Sequence, residues 1–180
     1  MPPLAMNRRR FVKTALAATL VLGGSTIALV RTRGYAVPAG RTLAGFTAWQ
    51  FVVVQHAARR IAAPDRAGVP SSDDVDVAGF ADDWVSRMPA AVRRDLGRFL
   101  AYLEHLAPVG CGLASRFTRL TPSEQDRVLS ATEASSNDLL RAGFEGLKSL
   151  VFLGFYRDAR TWSILGYDGP LVARPEGGWR

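Results

Sequence analysis

Apolar residues along this chain recur at helical spacing, and nowhere do they alternate in a sustained strand pattern. The clearest stripe is Leu140, Phe144, Leu147, Val151 and Phe155, separated by steps of four and three that gather them on one helix face. Val92, Leu96, Phe99, Leu103 and Leu106 repeat those steps behind Pro89, whose fixed φ and missing N–H suit the first position of a helix. Val77, Phe80, Ala81, Trp84 and Met88 make a third stripe. Asp73 or Asp74, just before it, can cap its first turn.

Start signals place two more helices. In Phe46-Thr47-Ala48-Trp49-Gln50-Phe51, Thr47 and Gln50 form a capping box and Phe46 can pack on Phe51, so a helix opens there and runs to about Ala62, before Pro64. Val52-Val53-Val54 would suit a strand taken alone. The cap before them, and Ala57, Ala58, Ala62 and Ala63 after them, decide for helix. Thr121-Pro122-Ser123-Glu124 is a second capping box with proline at the first helical position, and Ser135 to Asp138 interrupt the helix that follows. The pattern predicts an all-α domain of about five helices. Beyond Asp158, Trp162, Tyr167 and Trp179 are scattered among glycines and prolines, which predicts an irregular aromatic tail.

Ahead of the domain the pattern changes. Arg8, Arg9, Arg10 and Lys13 precede the 17 residues Thr14 to Val30, which carry no charge, and Arg31 and Arg33 close the run. This is the layout of an export signal. Asn7-Arg8-Arg9-Arg10-Phe11-Val12-Lys13 resembles the twin-arginine signal, with Arg8, Arg9, Phe11 and Lys13 at its offsets. A run of this length, diluted by glycine, serine and threonine, stands at the short limit for a membrane anchor. No clean Ala-x-Ala follows; the nearest small-residue pair is Gly34-Tyr35-Ala36, so cleavage and retention as an anchor both stay open. The expected division is a signal segment, 1–36, and a helical domain, 37–180, delivered to the periplasm or the periplasmic face of the cytoplasmic membrane.

Charge reinforces that division. The net charge of +7 suggests a nucleic-acid partner until it is located: six of the 23 bases lie in the first 36 residues with no acid, leaving 17 against 16 acids. The domain is close to neutral, and no nucleic-acid partner is expected. Cys111 is the only cysteine, which excludes an intramolecular disulfide, a thiolate zinc cage and a Cys-x-x-Cys-His haem site; it reads as a small buried apolar residue.

Catalytic patterns fail one by one. Gly110-Cys111-Gly112 starts like a dinucleotide fingerprint but reaches Ser115 where glycine is required, and it follows a helix. Glu104 adjoins His105 rather than preceding it by three, so the carboxylate-histidine motif of metal-binding bundles is missing. His56 and His105 read as surface or packed residues. The acids Asp73, Asp74, Asp76, Asp82 and Asp83 read as a solvated helix start. No serine stands in Gly-x-Ser-x-Gly. Catalytic, cofactor-binding and metal residues are therefore not assigned, and the chain is not expected to be an enzyme by itself.

Two segments carry a resemblance. One holds Phe46, Thr47, Gln50, Ile61, Pro64, Asp65 and Phe80; the other, from Gly146, reads GLKSLVFLGFYRDARTWSILGYDGPLV. With them, most of residues 43–172 resembles the gluconate 2-dehydrogenase subunit 3 family, the small accessory subunits of membrane-associated flavin dehydrogenases acting on sugars, sugar acids and alcohols. Ala63 before Pro64 departs from the family's Ile-Pro. The resemblance implies a non-catalytic helical subunit bound to a large glucose-methanol-choline (GMC) type flavoprotein that holds FAD, with a c-type cytochrome subunit often accepting the electrons. It also implies that this chain supplies the signal read by the twin-arginine translocase and aids maturation of its partner. The twin-arginine route carries folded proteins, which fits a partner that crosses while bound.

The segment Leu153 to Val172 is the expected contact. Phe155, Tyr156, Arg157, Trp162 and Tyr167 gather there, and aromatics and arginine dominate interface hot spots. Closure of the chain's own core by these rings is the competing expectation. The alternative function is a stand-alone, signal-anchored envelope domain that binds a small ligand or scaffolds other proteins.

Overall fold

The structure is a computed structural model and describes residues 34–63 and 68–169. The chain divides after Ala36 into two units, and the signal residues Arg8, Arg9, Phe11 and Lys13 lie outside the described residues. Within the second unit the described residues form six α-helices and no strand: α1 (Ala48–Ile61), α2 (Val77–Ser86), α3 (Ala90–His105), α4 (Ala107–Gly110), α5 (Pro122–Glu133) and α6 (Asp138–Tyr156). Two 3-10 segments, Phe117–Arg119 and Ala159–Leu165, complete the set. The all-α expectation holds. Helix α4 and the C-terminal 3-10 segment stand where loop and irregular tail were expected.

Helix α1 is the axis of the domain, packed by α2, α3, α5 and α6. Phe51, Val52, Val53, Val54, Ala57 and Ala58 are all buried, so this helix is covered nearly all round. That resolves the valine run. Helical placement of a β-branched residue costs a few tenths of a kcal/mol, whereas burying its side chain is worth about 1.5 kcal/mol or more. The start is as predicted: Gln50 Oε1 accepts from the Thr47 N–H at 2.8 Å and from its hydroxyl at 2.9 Å. Glu124 does the same for Thr121 at the head of α5.

The approach to α1 is held by a group the sequence pattern misplaced. Asp82, expected in a solvated acidic run, is buried and accepts three backbone N–H groups: Ala44 at 2.8 Å, Gly45 at 2.9 Å and Phe46 at 2.7 Å. Gly45 lies so close to α2 that a Cβ there would stand 2.4 Å from the Asp82 carbonyl oxygen and 2.6 Å from the Ser86 nitrogen. A carboxylate paired with three amides can be buried without an opposing charge.

This anchoring also turns α2. Its buried face is Val77, Ala78, Ala81, Asp82 and Val85, and Trp84 is 43% exposed instead of facing the core. The cap is Asp76, in the left-handed region at φ 51°, whose carboxylate accepts from Gly79 N–H and pairs with Arg41 at 2.8 Å. Asp73 and Asp74 are engaged elsewhere. Asp73 pairs with Arg59 at 2.6 Å, and Asp74 accepts from the Ser71 N–H and hydroxyl, which hold its carboxyl below the usual carboxylate range.

In α3 only the second half is covered. Phe99, Leu100 and Leu103 are buried, while Val92 and Leu106 of the expected stripe face solvent, and Pro89 is the cap rather than the first helical residue. Glu104 joins the buried face because partners await it: Thr118 donates its N–H at 3.1 Å and its hydroxyl at 2.7 Å, and Arg116 Nε stands 3.5 Å away. Cys111 is half-buried, not part of the core. Helix α6 keeps its predicted stripe, with Phe144, Leu147, Val151 and Phe155 buried.

Candidate functional site

The far end of α6 is where the molecule departs from an ordinary amphipathic helix. Opposite its buried stripe, the last turns present Phe152, Leu153, Tyr156 and Arg157, of which Leu153 is 53% exposed and Phe152 37%. Phe152 and Tyr156 are stacked one turn apart, ring centres at 5.9 Å. Two exposed apolar side chains beside a half-buried tyrosine on one face are not what solvent favours on a monomer.

Helix α2 extends the surface. Gly154 lets it approach α6 closely, since a Cβ there would stand 2.9 Å from the Phe80 ring and 3.2 Å from Val77 Cγ1. Phe80 is thereby set beside α6, with the Arg157 guanidinium 5.0 Å above its ring, and Trp84 continues outward at 5.5 Å from Phe80. Phe80 and Trp84 were placed on the inward stripe by spacing alone. The turn imposed by Asp82 brings them to the surface.

The C-terminal 3-10 segment closes the other side. Asp158 caps it, accepting from Arg160 N–H at 3.0 Å and from that guanidinium at 2.9 and 2.7 Å, contacts that hold its carboxyl down to about 2. Arg160 also reaches the Asp74 carbonyl at 3.3 Å, and the buried Thr161 hydroxyl lies within bonding distance of the Phe155 and Asp158 carbonyls. Trp162 donates its indole N–H to the Tyr156 carbonyl at 2.8 Å, and Tyr167 meets its ring edge-on at 5.0 Å. Trp162 and Tyr167 are thus held in place by the chain's own contacts.

The five residues expected at a contact divide accordingly. Phe155, placed both on the stripe of α6 and among the contact residues, belongs to the core at 2% exposed, which removes it from the contact set and agrees with the competing expectation. Tyr156 and Trp162 are half-buried, each with one face held by the chain itself, while Arg157 and Tyr167 are exposed. Residues 170–172 of the expected contact lie outside the described residues. Sequence reasoning missed Phe80, Trp84 and Phe152 as surface. A signal existed for Phe152: it pairs with Tyr156 at i, i+4, one position off the buried stripe.

Two polar sites lie elsewhere. A cleft of about 410 Å³ is lined by Pro38, Arg41, Phe51, Gln55, Ser72, Asp73, Asp76 and Ala78, and the buried Ser72 hydroxyl has no hydrogen-bond partner among the described residues. Separately, Gln125 Nε2 lies 3.0 Å from His56 Nδ1 and 3.0 Å from the Phe117 carbonyl. The carbonyl can only accept, so the amide nitrogen donates to both, which assigns the imidazole proton to Nε2. Burial, then the charge of Arg59, lowers the basicity of His56. Among the described residues there is no cluster of three metal-ligating side chains, and no helix is long and apolar enough to cross a membrane.

Compared with family models, with characterised proteins and with solved structures, the chain matches none.

Proposed function

We propose that this chain is a non-catalytic accessory subunit that binds a large FAD-bearing flavoprotein of the GMC type and brings it to the periplasm or the periplasmic face of the membrane. The reading is carried by one observation, the pre-arranged aromatic surface where α2, α6 and the C-terminal 3-10 segment meet. The twin-arginine pattern and the resemblance of residues 43–172 to small dehydrogenase subunits support it. In this reading the chain contributes an address and a docking face, its partner contributes the flavin chemistry, and a c-type cytochrome subunit receives the electrons.

Purification of the tagged full chain from the envelope of its own host tests the proposal. The expected result is a stoichiometric flavoprotein with an FAD spectrum, and its loss from the envelope when Arg8 and Arg9 are both changed to lysine. Recovery of the chain alone, or normal delivery of the double variant, contradicts it. The cleft favours a second reading, a self-sufficient ligand-binding domain in the envelope. Its mark is a small molecule retained by the purified chain and lost on Ser72→Val with Arg41→Met.

A further inference from the structure

Within the aromatic surface one cation has no ion-pair partner of its own among the described residues, although the charge of the neighbouring Asp158 reaches it. Arg157, the cap that ends α6, sets its guanidinium 5.0 Å over the Phe80 ring of α2, and no hydrogen bond or ion pair holds it among the described residues. The adjacent acid is committed: Asp158 takes the main-chain N–H and two guanidinium nitrogens of Arg160. Asp83, one turn before Arg87 and beside Trp84 in sequence, is committed to Arg87. A guanidinium stacked on a ring keeps its in-plane N–H edge free, a fork shaped for a carboxylate. Apolar neighbours that exclude water on docking strengthen such a pair and raise the cost of the wrong charge.

We infer that the partner docks across both α2 and α6 with an apolar segment that carries a carboxylate, which Arg157 receives between Phe80 and Tyr156. In a second copy of this chain Asp158 and Asp83 are engaged by Arg160 and Arg87, which leaves Asp168, beside Tyr167, as the one carboxylate of this surface it could offer, and a two-fold contact would bring two guanidiniums into one apolar patch, so a separate partner suits the site better. The inference rests on the flavoprotein reading above and adds the chemistry of the contact.

The test uses the full chain co-expressed with the flavoprotein it carries, and reads flavin absorbance per tagged chain together with the dissociation constant. Trp84→Ala and Arg157→Met are expected to weaken binding about tenfold or more, and Arg157→Glu roughly tenfold further, because it sets like charges face to face. Arg141→Ala, in the first turn of α6, leaves binding unchanged. All four keep the melting temperature of the free chain. If Arg157→Glu binds no worse than Arg157→Met, the carboxylate is refuted; if Trp84→Ala and both Arg157 variants bind as wild type does, the surface is refuted, while flavin carried by the wild type leaves the accessory role standing. No flavin with the wild type refutes both. Self-association of the wild type that the variants abolish overturns the inference, as does binding to anionic lipid vesicles that Arg157→Glu removes without touching flavin capture.

Discussion

The two halves of α6 share one inward stripe and differ only outside. From Asp138 to Ser149 the outer face is salt-bridged, apart from the exposed Leu139 in its first turn: Asp138 pairs with Arg141, and Lys148 joins Glu145 and Glu133 at 2.8 Å each. Both acids draw the Lys148 ammonium upward in basicity, Glu133 first. From Phe152 to Arg157 the same face carries two rings, a leucine and an arginine with no ion-pair partner among the described residues. The inward face reports how the helix is held. The outward face is mostly paired charge in the first half and mostly apolar in the second, and the proposed docking rests on that difference.

Substitutions can break that comparison, and the largest effect is expected where the halves agree. Leu147→Ala and Phe155→Ala each remove a fully buried side chain and should cost about 3 to 4 kcal/mol, whichever half they lie in. Thermal or urea unfolding measures it; a cost near zero at Phe155 returns that ring to the surface. Asp82→Ala should follow at about 3 kcal/mol, since it strands three amides at the start of α1 and loosens the helix that carries Phe80 and Trp84. A loss no greater than that of an exposed-residue substitution would show that the amides find other partners.

The outer faces should differ in kind rather than in size. Phe152→Ser with Leu153→Ser, and Glu145→Ser with Lys148→Ser, are each expected to shift free-chain stability by only about 0.5 kcal/mol per residue. Only the first pair should reduce binding of an apolar fluorescent dye. Equal dye binding by both would erase the contrast between the halves.

A smaller effect is tied to pH. His56 has a folded-state pKa below its ordinary 6.5, so between those values the unfolded chain binds more protons. Stability is full above 6.5 and declines as pH falls through the lowered folded value, because a protonated Nδ1 would face the Gln125 amide donor. Replacing His56 with Gln should flatten this slope in denaturation curves taken between pH 7 and about pH 5. A slope unchanged by the substitution assigns it elsewhere.

Legibility followed the range of the interactions. Both capping boxes and the stripe of α6 are local devices, set by residues three or four apart, and the sequence pattern placed them correctly. Asp82 was misjudged, and the burial of Glu104 went unremarked, because their partners lie 36 to 38 and 14 residues away, so an acid in sequence gave no hint of burial. The rotation of α2 followed from that error. Of the surface, Tyr156, Arg157, Trp162 and Tyr167 were legible as an aromatic cluster in one segment, whereas Phe80 and Trp84 join it only through the close approach that Gly154 permits.

Hydrogen exchange on the chain alone and in the proposed complex with a flavoprotein addresses the central claim most directly. The account predicts that binding slows exchange in peptides covering 77–86 and 152–167 and leaves 138–149 and 90–98 unchanged. Protection centred on the salt-bridged half of α6, or on the cleft lined by Arg41 and Ser72 with none at Trp84 and Phe152, would contradict it.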